Sequence, residues 1–137
     1  MRNSAAWTAL SGRVLIALMF VLSGLDKLGN YEGMQGYMAS VGVPGSLLWL
    51  AIVLEVAGGM MIVAGLYTRI VAVLLAGFCV LTAILFHGNL ADQMTFIMFM
   101  KNISIAGGFL VLAAHGAGVL SLDQLRARNR VAVGSAA

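Results

Sequence analysis

Of the 137 residues, 61% are hydrophobic and only 9% charged, against roughly a quarter charged in an ordinary soluble domain. A mean hydropathy of +1.00 leaves too little polar side-chain material to cover a water-soluble globule. That excludes a cytosolic enzyme, a disordered segment and, despite a pI near 9.5, a nucleic-acid-binding module, while one Cys and one Pro exclude a disulfide scaffold and an intrachain dithiol relay.

Charges punctuate the apolar runs, so the gaps between them mark the elements. At about 20 residues per crossing, the length suits four spans with short connections. The first predicted span covers residues 7–29, with Arg13 placed to snorkel toward one face. It reads as a span and not as a removable leader, because Arg13 and Asp26-Lys27 bracket it and no clean small-residue cleavage site follows. Residues 31–40 are too few to cross. Their Tyr31, Met34, Tyr37 and Met38 recur at helical spacing, which predicts a short amphipathic helix at the interface. Gly42-Val43-Pro44-Gly45 then breaks the chain, since proline removes a donor and glycine supplies unusual backbone angles. The second span is predicted over 46–67 and the third over 69–87, bounded by Arg69 and His87. The fourth covers 93–114 and is closed by Gly116-Ala117-Gly118, leaving 115–137 as a tail. The predicted fold is all-α: one membrane domain, a four-helix bundle with a short interfacial helix between its first and second transmembrane helices.

Four spans put both termini on one side of the bilayer. Arg2, Arg13, Arg69, Arg126, Arg128 and Arg130 share that side, while Asp26, Lys27, Glu32 and Asp92 lie opposite. The excess of basic residues predicts cytoplasmic termini, and the tail is either solvated or in contact with anionic headgroups. Small residues at four-residue spacing, Ala72 with Ala76 and Ser104 with Gly108, and the pairs Gly58-Gly59 and Gly107-Gly108 mark places where helices can approach closely. The Met residues are assigned to gap-filling and not to a metal.

Ionisable groups inside a membrane need partners, because each unpaired charge near the bilayer centre costs roughly 2.5 kcal/mol or more. Glu55 lies about 13 Å inside its span and Lys101 about 12 Å inside its own, counting from Ser46 and Gln93. The two are predicted to pair. Asp26 and Lys27 end the first span on the same side, His87 ends the third there, and Asn102 follows Lys101. Two readings stay open: an ion-pair network that only fixes helix register, or a pocket whose polar floor binds a small molecule or a quinone headgroup, or passes protons. His87 and His115 fall on opposite faces, which argues against a shared bis-histidine haem. Cys79 sits alone in an apolar run as an inert thiol. Neither a phosphate loop nor metal-ligand spacing nor a nucleophile elbow is present.

Gly12-Arg13, Phe20-x-x-Ser23-Gly24-x-x-Lys27-Leu28 and Glu55-x-x-Gly58-Gly59 together resemble the DoxX family of small membrane proteins. So do Gly65-Leu66-Tyr67-Thr68-Arg69, the isolated His87, Lys101-Asn102-x-x-x-Ala106-Gly107-Gly108 and the stretch Gly116–Asp123. The resemblance covers about residues 11–123. It implies a bacterial inner-membrane protein and an association with quinone-linked oxidoreductases. The leading expectation is thus a non-catalytic or quinone-binding subunit that supports electron transfer by a partner oxidoreductase, soluble or membrane-bound, with a quinone as the candidate cofactor and none covalently held. Candidate site residues are Asp26, Lys27, Glu55, His87, Lys101 and Asn102, with Arg13 and Arg69 as charges of the inner face. A non-enzymatic scaffold or assembly protein is the alternative, and a homo-oligomer is a further candidate partnership.

Overall fold

The computed structural model describes residues 2–134. Its elements run α1 (Arg2–Gly29), α2 (Tyr31–Ser40), a single 3-10 turn (Gly45–Leu47), α3 (Leu48–Ala64), α4 (Thr68–Phe86), α5 (Gln93–His115) and α6 (Leu122–Gly134). Four stretches, Asn3–Gly29, Gly45–Ala64, Thr68–Phe86 and Gln93–His115, are long and apolar enough to cross a membrane. The protein is an all-α membrane bundle. We call the side on which α1 and α4 begin and α3 and α5 end the terminal face.

Local chemistry sets the ends of these helices. Asp92 starts α5 by accepting from the Thr95 backbone N–H and hydroxyl, each at 2.8 Å, which is an N-cap in the usual sense. The second span ends three residues earlier than the sequence suggests. Gly65 adopts φ +68° and Leu66 N–H donates back to Met61 O at 2.9 Å, so a left-handed cap stops α3 before Leu66-Tyr67. α1 extends the other way, to Arg2. The predicted interfacial helix is α2. It buries Met38 against Leu48 and Ile52 and stacks Tyr37 on Phe86 at 5.6 Å.

The bundle is built from two helix pairs, α1 with α3 and α4 with α5, joined mainly through α3 and α4. Lipid offers apolar side chains nearly as good a solvent as the core, so pairing depends on close backbone approach. Gly24 and Gly59 provide it between α1 and α3. A Cβ on Gly24 would stand 2.5 Å from Val56 Cγ2 and 3.3 Å from the Val56 backbone N, and one on Gly59 would stand 3.3 Å from Ala17 O. Ala72 and Ala76 are buried at the α4 seam as their spacing predicts, whereas Gly107 meets nothing within 4 Å. Phe20 and Phe109 close the centre edge-to-face at 5.2 Å.

Candidate functional site

Ser23 and Lys27 stand one turn apart on α1, so their side chains share a face. That face meets α3 where Gly24 brings the backbones together, and there Glu55 is buried to 4% exposure. Lys27 Nζ lies 2.8 Å from Glu55 Oε2 and donates to Oε1 at 3.0 Å and to Ser23 Oγ at 2.6 Å. Ser23 Oγ in turn donates to Glu55 Oε1 at 3.3 Å. Oε2 has the ammonium beside it but no donor in hydrogen-bond geometry. The result is a compact triad in which one carboxylate is held by a cation and a hydroxyl.

The predicted Glu55–Lys101 pair is not formed: the carboxylate is taken by Lys27. Equal depth did not suffice, because the stem of Lys27 reaches down from the end of α1, whereas Lys101 stands on α5, which α3 does not pack against extensively. Lys101 Nζ instead contacts Met98 Sδ at 3.3 Å, one turn away on its own helix.

Even so, both residues border one space. A cavity of about 560 Å³ lies between the α1–α3 pair and α4–α5, roofed by α2, and it is lined by Ser23, Lys27, Glu55, His87, Lys101 and Asn102. Its other walls are apolar and aromatic, among them Phe20, Met34, Tyr37, Phe78 and Phe86. Five of the six predicted site residues thus meet. Asp26 does not: it is exposed and is not part of the cavity lining, lying about 100° round the helix from Lys27. Thr82 and Cys79 also line the cavity, and Cys79 is otherwise enclosed in the apolar core. His87 follows α4 as its C-cap. Burial, and then the nearby Lys101 charge, hold its pKa below the ordinary value, so its imidazole is neutral at neutral pH and can donate with one nitrogen and accept with the other.

The terminal face holds a second polar assembly that the sequence placed but did not connect. Arg13 is 2% exposed and does not snorkel to water. Its guanidinium donates to Ala117 O, to Val63 O at 3.1 Å and to Leu120 O at 2.8 Å, joining α1, the end of α3 and the α5–α6 connection. Asp123 was missed as a structural residue. Its Oδ1 and Oδ2 accept from the Tyr67 and Thr68 backbone N–H groups at 2.7 and 2.9 Å, capping α4 from a distance. Burial works against the charged form of Asp123, but these N–H groups, together with Arg126, carry its pKa below the ordinary value. Arg126 stacks over the Tyr67 ring at 4.6 Å and donates to its hydroxyl at 3.0 Å. The predicted tail is therefore helical, and its first turns are tied to the α3–α4 turn. Arg69 lies by Gly116 on this same face, outside the cavity. Among the described residues no cluster of three or more metal-ligating side chains is formed.

Residues 8–88, which carry Arg13, Lys27, Glu55, Arg69 and His87, match the family model DoxX. The chain belongs to the DoxX family. It is 47% identical to the inner membrane protein YqjF of Escherichia coli (strain K12), over 85% of this chain and 89% of YqjF. To the inner membrane protein YphA of the same organism it is 38% identical, over 84% of this chain and 87% of YphA. A shorter likeness, 36% over 47% of this chain and 48% of the relative, links it to CatD of Bacillus subtilis (strain 168), by its name a candidate oxidoreductase. No solved structure matches it.

Proposed function

We propose that this DoxX protein is an inner-membrane subunit that binds a quinone headgroup in the α1–α3–α4–α5 cavity and so supports electron transfer by a partner oxidoreductase. The observation that carries the reading is the Ser23–Lys27–Glu55 triad, built around the buried Glu55, at the floor of a cavity that His87, Lys101 and Asn102 also border and whose other walls are mostly apolar and aromatic. Register could be fixed by an ion pair alone; an ion pair that opens onto about 560 Å³ of amphipathic space is what a ring with polar oxygens and an apolar tail would fill. The oxidoreductase name of CatD points the same way.

The residues fit such a group. Lys27 and Asn102 are donors for ring oxygens, and the aromatic walls suit the face of the ring. The quinone would supply the two-electron redox chemistry, with the partner as the source or sink of electrons. The chain's own contribution is to orient the ring, exclude water and hold a proton near its oxygens, at Glu55 or at the neutral imidazole of His87. By the distribution of basic residues the termini face the cytoplasm, which puts the cavity in the half of the bilayer away from it.

A second reading is favoured by one observation: the Lys27–Glu55 bond itself bridges α1 and α3, so the network could serve the bundle alone as a scaffold for assembly. Co-purified quinone separates the two. The double variant Lys27→Met with Glu55→Gln removes both charges together, leaving none stranded. If the cavity binds quinone, protein extracted in mild detergent retains quinone and the double variant, folded by circular dichroism, loses it. Equal retention in the two proteins refutes the site; loss of thermal stability with intact partner activity per assembled complex supports the scaffold.

A further inference from the structure

The cavity is unevenly charged, and the imbalance specifies its ligand. On the α1–α3 side the ammonium of Lys27 and the carboxylate of Glu55 neutralise each other at 2.8 Å. On the α4–α5 side stand Lys101, His87 and Asn102, with no acid among them. Lys27–Glu55 is the one ion pair within 4 Å formed among the described residues. The other carboxylates are committed or remote: Asp92 caps α5 through Thr95, Asp123 caps α4 at the terminal face, and Asp26 and Glu32 are exposed outside the cavity. Lys101 nevertheless sits within a membrane-spanning helix, where its ammonium donates to the Met98 thioether sulfur at 3.3 Å, a weak acceptor. An ammonium at that depth is costly without a counter-charge.

We infer that Lys101 is the anion-accepting pole of the cavity, and that the ligand is an amphiphile whose headgroup presents an acidic oxygen, a carboxylate or an ionised phenol such as a reduced ring provides, to Lys101. The inference rests on the reading of this cavity as a ligand site, and it adds to that reading a polarity: acidic oxygen toward α5, apolar tail toward the aromatic and methionine walls. His87 and Asn102 flank the same pole and can donate to a second oxygen. Lys27, already neutralised, supplies hydrogen-bond direction without net charge. A neutral ring, oxidised or fully protonated, would fit the space but would leave the Lys101 charge unmatched, so a carboxylate, or a reduced ring that has released one phenolic proton, binds more tightly.

The test uses the full chain in lipid nanodiscs, with binding measured by thermophoresis for three probes of equal tail length: para-decylbenzoate, decylubiquinone and decyltrimethylammonium. The benzoate is expected to bind about tenfold or more tightly than the neutral quinone, the scale of one charge-assisted hydrogen bond, and the ammonium not to bind. Lys101→Met should abolish that preference, so that the benzoate binds no more tightly than the quinone. Lys101→Arg, which keeps the charge, should restore it and controls for folding. A preference unchanged in Lys101→Met, equal affinity for the benzoate and the quinone, or binding of the ammonium overturns the inference while leaving the quinone site standing. Benzoate binding that depends on Lys101 with no quinone binding refutes the quinone reading and keeps this one. Failure of all three probes to bind overturns both.

Discussion

Gly24 is where packing and the candidate site share one backbone position, and replacing it with alanine tests both. The added Cβ would stand 2.5 Å from Val56 Cγ2, 3.2 Å from Glu55 Cβ and 3.3 Å from the Val56 backbone N. The Val56 methyl can rotate away; the backbone nitrogen and the Glu55 stem cannot, so α3 must move by a few tenths of an ångström. Overpacking of this kind costs about 1–3 kcal/mol, and the better helix propensity of alanine returns about 1 kcal/mol. The balance is a loss of about 0–2 kcal/mol, accompanied by lengthening of the Lys27–Glu55 contact. Gly77 is the internal control. It too lies in a membrane-spanning helix, but its Cβ would meet nothing within 4 Å, so Gly77→Ala should be neutral or stabilising by up to about 1 kcal/mol. Thermal unfolding of the two variants in the same detergent, followed by circular dichroism, measures the difference. If Gly24→Ala proves as stable as Gly77→Ala, then α1 and α3 do not approach as closely as described, and the placement of Glu55 beside Lys27 goes with it.

Other outcomes follow from the same geometry. Lys27→Met strands the buried Glu55 carboxylate, whereas Glu55→Gln leaves an ammonium on a long stem at the end of α1, so the first should destabilise more than the second. The double variant should recover part of the loss, with a coupling of about 0.6–1.7 kcal/mol, the range for polar contacts between membrane helices; additive losses would show that the pair is not energetically coupled. Asp123→Ala should destabilise by about 1 kcal/mol, as for loss of an ordinary N-cap, and hydrogen exchange should speed up at the first turn of α4 specifically; faster exchange confined to α6 would contradict the capping. Folded His87 titrates below its ordinary 6.5, so the folded state binds fewer protons than the unfolded one. Its contribution is intact above 6.5 and falls away as the pH drops through 6.5 toward the folded value, and His87→Asn should flatten that part of the stability curve. An unchanged slope in that variant would remove His87 from the account.

The spans were legible because charges cannot sit at arbitrary depth in a bilayer, and Arg69, His87 and Asp92 therefore mark boundaries directly. The interfacial helix was legible from Tyr31, Met34, Tyr37 and Met38 for the same reason in reverse: ten residues cannot cross, but their apolar face must be covered. Membership of the candidate cavity was also largely readable, since Lys27, Glu55, His87, Lys101 and Asn102 do border one space. Pairing within it was not. Depth along an axis is additive in residue number, but which way a side chain faces depends on rotation and on which helices touch, and the α1–α3 contact was marked only by Gly24 and by Gly59 within Gly58-Gly59. Arg13 was misjudged for a related reason. A snorkelling arginine and one that gathers carbonyls look alike in sequence, and only the turn at Gly65 together with residues 117–120 distinguishes them. Asp123 had one readable cue: α4 begins at Tyr67-Thr68 with no capping side chain of its own, so a cap had to come from elsewhere.

The guanidinium of Arg13 draws its three acceptors from Val63, Ala117 and Leu120, two of which are synthesised more than a hundred residues after it. α1 is therefore locked only after the three spans that follow it have been made. Until residue 120 has left the ribosome, that helix carries a strong donor with at most Val63 O and Ala117 O of its three acceptors made, a mark that distinguishes an incomplete chain from a finished one. Stalled nascent chains ending before residue 117 should accordingly be degraded faster by membrane proteases than chains ending after 123, and equal lifetimes would show that the lock closes without its C-terminal half.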